Sequence, residues 1–358
     1  MSRNPRFNSV FGCWLAVLGV AVLCASWTAA AAGTNAFSTT IPKPGTRAQV
    51  VVVRDPEATR AFLASPARVR LMVNRALTNL TATADVAAAW RAFVSPQDVV
   101  GIKVLAGPGP TSGTRVAVVI AVIEGLLAAG LPPTNIVVWD KHIEDLRHSG
   151  FPELTRTHGV RVEGGAEAGY DDKAFYDAPL LGNLIWGDFE FGKKEDGVGR
   201  RSYVSRLVSQ ELTRIINVMP LLNHHAAGVS GNLYGLALGS VDNTWRFEGE
   251  AERLAQAVPE IYALPEVGDR VVLNIVDALL CQYQGGQRGL LHYSTVLNEI
   301  RVSRDPVALD VLSLKELDRQ REAAGAPSSK VNLELYQNAS LLELGVSDLE
   351  RIDVRTLE

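Results

Sequence analysis

Val99-Val100-Gly101-Ile102-Lys103-Val104 is followed by the loop Gly107-Pro108-Gly109-Pro110-Thr111-Ser112-Gly113, an apolar stretch from Val116 to Ala129, and then Ile136-Val137-Val138-Trp139-Asp140. Two short β-type runs flank a segment of helical length. Gly130 ends that helix, and Pro132-Pro133 bars its resumption. Strand, helix and strand joined by short connections form a βαβ unit, which requires parallel strands and a right-handed crossover.

The same reading extends in both directions. Val50–Val53 is a short buried strand closed by Arg54-Asp55-Pro56. From Glu57 to Leu80, Phe62, Leu63, Val69, Leu71, Met72 and Ala76 recur at helical spacing, and Pro66 is expected to split the stretch into two helices. Further strands are expected at Val160–Val162, Ile215–Val218, Val271–Val276 and Glu299–Val302. A short helix is expected from Ala251 to Val258 before Pro259, another from Pro306 through Leu312, Leu314 and Leu317, and a helix end at Gly345. Asn183 to Arg201, rich in Gly, Asp and aromatics, reads as a hairpin or excursion loop over the site. The expected fold is α/β: a mainly parallel sheet with helices on both faces, in a single large domain over residues 33–358.

Residues 1–32 have the three-part layout of a signal peptide. Arg3 and Arg6 precede an apolar run from Val10 to Ala25, and small residues lead to cleavage choices near Ala30 or Ala32. An uncleaved anchor is the competing reading, because the run is near the lower length limit for spanning. Leu23 before Cys24 speaks against a lipoprotein site, and no arginine pair marks the twin-arginine route. The expectation is a periplasmic or secreted protein, with no membrane association once the signal is removed.

Without the signal, 33 basic residues stand against 39 acidic ones, a net charge of −6. That balance, with no basic run, argues against a nucleic-acid partner. Cys281 is the sole mature cysteine. It cannot close an intrachain disulfide or supply the four thiolates of an iron–sulfur cluster, and its apolar neighbours suggest a small buried hydrophobe.

Chemistry is expected where Ile215-Ile216-Asn217-Val218-Met219-Pro220 gives way to Leu221-Leu222-Asn223-His224-His225-Ala226-Ala227-Gly228-Val229-Ser230-Gly231-Asn232. An apolar strand stops at Pro220 and a histidine-bearing, glycine-rich loop follows, the place where α/β folds carry ligands. His224 and His225 are candidate catalytic acid/base groups or ligands of a divalent metal; the plain alternative is a packed loop histidine. Gly228, Ser230, Gly231 and Asn232 either present backbone N–H groups to an anion or form an ordinary turn. Lys103 and Asp140, at the carboxyl ends of neighbouring strands, either hold a ligand or pair with each other to cap the sheet. Asp305 before Pro306 reads as a helix N-cap, with Asp310 one turn further in. Asp277, His142 and His292 are lesser candidates.

Several blocks together resemble the domain-of-unknown-function family numbered 362. They are Val100-Gly101-Ile102-Lys103-Val104, Asp140, Ile215-Ile216-Asn217-Val218 with its histidine loop, Gly231-Asn232-Leu233-Tyr234-Gly235, Asn274-Ile275-Val276-Asp277-Ala278, Gly285-Gly286, and Ser303 to Asp310. The resemblance implies no established biochemical role. Many members carry a cysteine-rich ferredoxin segment, which is missing here. The lysines that members tend to have before the histidine loop and before the Asn-Leu-Tyr-Gly block are replaced by Leu222 or Asn223 and by Gly231. A second likeness is to the nickel-pincer lactate racemases, through His225, Ala227-Gly228 and Ser230-Gly231. Their cofactor-bearing lysine is absent, with Tyr234 at the ungapped position. The expected function is an enzyme on a small anionic substrate using histidine acid/base chemistry; the alternative is a non-catalytic periplasmic module that binds a metal or cofactor.

Overall fold

The computed structural model describes residues 47–178, 199–327 and 333–358, all within one compact unit. The expected signal and most of the Asn183–Arg201 excursion lie outside the described residues; the segments flanking the excursion, Tyr170–Asp177 and Arg201–Ser205, pair antiparallel.

Among the described residues the main sheet has nine strands: β1 (Ala48–Arg54), β2 (Val100–Val104), β3 (Ile136–Asp140), β4 (Arg161–Gly164), β5 (Arg214–His224), β6 (Gly228–Val229), β7 (Val271–Gln282), β8 (Ser294–Ser303) and β9 (Ile352–Leu357). Their order is β9-β1-β8-β7-β5-β2-β3-β4, with β6 paired to β5. Five pairings are parallel: β9/β1, β7/β5, β5/β2, β2/β3 and β3/β4. β8 runs antiparallel to both β1 and β7, so the sheet is mainly parallel, as the βαβ reading requires.

Helices cover both faces, because alternate strand residues feed two separate cores. Val51, Val53, Val100, Ile102, Val104, Ile136 and Val138 pack with α1 (Pro66–Leu80) and α2 (Val116–Ala128). Val50, Val52, Val137, Trp139 and Ile215 pack on the other face with α3 (Asn232–Ser240), α4 (Ala251–Tyr262), α5 (Pro306–Ala323) and α6 (Glu334–Leu341). The chain leaves β2 toward one face and β5 toward the other. That divergence between neighbouring parallel strands is a topological switch point, the crevice in which open α/β sheets bind ligands.

Three sequence expectations need correction, and one strand was missed. Glu57–Ser65 forms a turn and a two-residue hairpin, and α1 starts at Pro66, because proline suits the first helical turn. β5 does not stop at Pro220. It passes through to His224, and Pro220 sits where the β7 register jumps from Asp277 to Cys281, so no ladder donor is lost there. Pro259 lies inside α4 rather than beyond it; the Ala255 carbonyl one turn earlier, which a proline cannot serve, accepts Asn338 Nδ2 at 2.9 Å instead. β9 was not expected at all. Cys281 is buried, and burial raises its thiol to about 12, consistent with a packing role. No helix among the described residues is long and apolar enough to cross a membrane.

Candidate functional site

Lys103 and Asp140 meet, as the parallel register allows, but they are closed to solvent. Lys103 Nζ donates to Asp140 Oδ1 at 2.8 Å and to the Val104 carbonyl at 2.6 Å. Asp140 also accepts the amides of Ala106 (2.7 Å) and Lys141 (2.8 Å), and Trp139 flanks the ammonium at 5.4 Å. The Lys103 residue is fully buried and Asp140 is 4% exposed. The pair ties the β2 and β3 ends together and offers nothing to an external ligand. Asp277 has a similar place: it accepts the Arg115 amide at 2.9 Å and Arg115 Nη1 at 2.8 Å, closing the start of α2.

The amides expected to cradle an anion are also taken. Ser230 N donates to the Leu222 carbonyl, and Gly228 pairs with His224 across a tight hairpin, its φ of +84° being one that glycine tolerates. Asn232 N and Nδ2 donate to Asp310 Oδ1 at 2.7 and 2.9 Å, and Leu233 N donates to Asp310 Oδ2 at 2.9 Å. A Cβ at Gly231 would collide with that carboxylate. The nest at the start of α3 therefore holds an anion supplied by α5, 78 residues away. Burial pushes the Asp310 carboxyl up to about 6 against these hydrogen bonds. Asp305 caps α5 as expected, accepting Ala308 N at 2.8 Å, and also accepts Val346 N at 2.9 Å.

The histidines stand apart from Lys103. Tyr234, at the start of α3, stacks on His224 with ring centroids 4.3 Å apart, whereas Gly239, near the end of the helix, packs against Lys103 Cε. Along β5, His224 lies seven residues past Asn217, the partner of Lys103, which is on the order of 20 Å of extended chain. A single hollow shared by both imidazoles, Lys103 and Asp140 is thus not formed.

At the hairpin, His224 Nδ1 accepts the amides of Ala227 (3.0 Å) and Ala226 (3.3 Å). Those donors require an unprotonated Nδ1, so the ring proton resides on Nε2. Burial first, then the neighbouring His225, lowers the His224 pKa to about 4. At neutral pH the ring is an uncharged N–H donor rather than a proton-exchanging base. His225 is exposed and lies against the loop Tyr283–Leu290: a Cβ at Gly286 would stand 2.8 Å from His225 Nε2. Buried Gln282 fixes that loop by donating to the Gly286 and Arg288 carbonyls at 3.1 and 2.7 Å and accepting Leu290 N at 3.0 Å. Asn223 Oδ1 accepts Gly286 N at 3.1 Å, and Gln287 bonds Tyr234 and reaches within 3.5 Å of Ser230 Oγ. On its far side the loop meets the segment after β2, where a Cβ at Gly289 would lie 2.8 Å from the Pro108 carbonyl. Loops following β2, β5 and β7 therefore converge at the switch point, with exposed Arg288 at the margin.

Sequence reasoning missed Tyr234, Gln282, Gln287 and Arg115. A tyrosine in the first turn after a strand end was a readable signal, whereas the two glutamines carry none. His142 is exposed at the start of a short helix, and His292 is exposed beside Tyr293. Among the described residues, no three His, Cys, Asp or Glu side chains are placed to hold a metal ion.

The His224 shift has a pH signature. An unfolded histidine binds a proton below about 6.5 while the folded one resists until about 4, so protonation favours unfolding in that window. Stability from this group is present above about 6.5 and falls by up to roughly 3 kcal/mol as pH drops through 4. Asp305 and Asp310, both pushed up to about 6, act in the opposite sense: their contribution declines as pH rises through 6. The His224 part is isolated with His224→Asn, whose side-chain oxygen can replace Nδ1 as acceptor. Urea titrations from pH 4 to 7 are expected to show a shallower acid loss in the variant; identical profiles would refute the assignment.

No curated protein matches the chain. A crystal structure of a Thermotoga maritima protein from the Northeast Structural Genomics Consortium is similar at a TM-score of 0.41 and 10% identity, covering 75% of this chain. The chain spans 61% of that protein's length. The sequence profile described as Domain of unknown function (DUF362) matches residues 100–315, the span that includes β2, the histidine hairpin, the Tyr283–Leu290 loop and Asp310, and the chain belongs to this family.

Proposed function

We propose that this protein is exported and is an enzyme acting on a small anionic substrate at the switch-point rim. His224 donates its Nε2–H to a substrate oxygen, and His225 exchanges the proton. The observation that carries the reading is the pair of amide donors on His224 Nδ1, which fixes one tautomer and leaves the other ring nitrogen as a donor without a partner among the described residues. A fixed neutral donor suits an oxygen on which charge develops, because it needs no reorganisation when the charge appears. Exposed Arg288, on the loop that touches His225, supports a negatively charged substrate. The basic, apolar and small-residue segments of residues 1–32 support export to the periplasm or beyond.

The test is a thermal-shift and turnover screen of small carboxylic, hydroxy and keto acids. An acid that stabilises the wild type is expected to bind His224→Asn roughly tenfold or more weakly, the loss of one hydrogen bond to a charged group. His225→Ala is expected to lose turnover with a nearly unchanged Tm. Equal affinity in His224→Asn would defeat the reading. Binding without turnover, with a metal retained after purification, would favour the non-catalytic module.

A further inference from the structure

The two edges of the main sheet differ. At β4, Arg161 is tied to Glu163 and Glu211, so ion pairs occupy that margin. At the other edge, among the described residues, β9 pairs only with β1, and its four central residues, Asp353, Val354, Arg355 and Thr356, are exposed. Its protection as an edge strand is limited to two charged residues, Asp353 and Arg355: it has no proline, no lysine and no bulge in its register with β1. Val354 is 47% exposed, an apolar side chain on an open strand.

We propose that β9 is a self-association surface at which a second copy of this chain adds its own β9 antiparallel, continuing the sheet across a two-fold axis. The sequence of the strand selects the register. A dyad centred on Asp353 would set Asp353 against its own copy, and one centred on Arg355 would oppose two arginines. Centred on Val354, the dyad places each Asp353 opposite the Arg355 of the other copy and sets the two valines face to face. In an antiparallel pair, directly opposite side chains share a face, so the two ion pairs lie on one side of the seam and the valine contact on the other. The arrangement is isologous and self-complementary, as a closed dimer requires. Both Asp353 oxygens already accept Arg47 Nε of the same chain, at 2.8 and 2.9 Å, so in the dimer this exposed carboxylate would be shared between Arg47 and the Arg355 of the other copy. On the valine face each copy opens a cleft of about 530 Å³ lined by Val354, Thr356, Leu312 and Lys315. The dyad brings the two clefts together on one side of the continuous sheet.

Sedimentation velocity of the purified protein between about 1 and about 200 µM is expected to show a species of twice the chain mass, with a micromolar dissociation constant. Arg355→Asp sets like charges against each other twice and should raise that constant at least about tenfold. The double variant Asp353→Arg with Arg355→Asp restores opposite charges in the same register and should recover part of the dimerisation, the remainder being lost because the new arginine also meets Arg47 of its own chain. All four residues at the seam are exposed, so circular dichroism melts should remain close to wild type. A monomer throughout the range, a dimer indifferent to Arg355→Asp, or a double variant no tighter than the single would each overturn the proposal.

Discussion

Asp310→Ala is expected to destabilise the protein by about 3–5 kcal/mol, a large share of the roughly 5–15 kcal/mol that holds a typical domain folded. Three donors, Asn232 N, Asn232 Nδ2 and Leu233 N, lose their acceptor in a site closed to water. The positive end of α3 loses its counter-charge in the same step. Asp310→Asn should fall between, because the amide oxygen still accepts while its NH2 faces other donors. Urea denaturation followed by fluorescence reads both. A midpoint for Asp310→Ala within error of wild type would show that water or a rearranged loop replaces the carboxylate.

Lys103→Met should cost a similar amount, again about 3–5 kcal/mol, because it leaves the Asp140 carboxylate buried without its cation. Adding Asp140→Asn removes the stranded charge and should recover part of the loss, a coupling that a double-mutant cycle measures directly. The recovery is partial because Asp140 also serves the Ala106 and Lys141 amides. The outcome separates two roles for the lysine. A Lys103→Met protein of unchanged stability that no longer responds to an acid ligand would return Lys103 to the binding site.

The central βαβ unit was legible because buried parallel strands read as continuous apolar runs, and because Gly130 and Pro132 mark where α2 must end. The meeting of Lys103 with Asp140 was also readable, since neighbouring parallel strands align their carboxyl ends. What escaped depended on distant partners. No local pattern announces that Asp310 fills the nest at Gly231, or that a register jump in β7 excuses Pro220. β9 was invisible because a half-exposed edge strand with Asp353 and Arg355 lacks an apolar run. The histidines were expected in a loop after Pro220; β5 instead runs to His224 and only His225 lies beyond it, and the hairpin carries both outward while α3 returns toward Lys103, a divergence set by tertiary packing.

Carboxylates from elsewhere in the chain close the starts of α2 and α3, while α5 is capped by its own Asp305. The protein thus arrives with its own counter-ions in place, and ambient phosphate, sulfate or chloride finds no vacancy at those helix ends. Changing the salt at constant ionic strength should therefore leave those helix starts, and the stability they contribute, largely untouched.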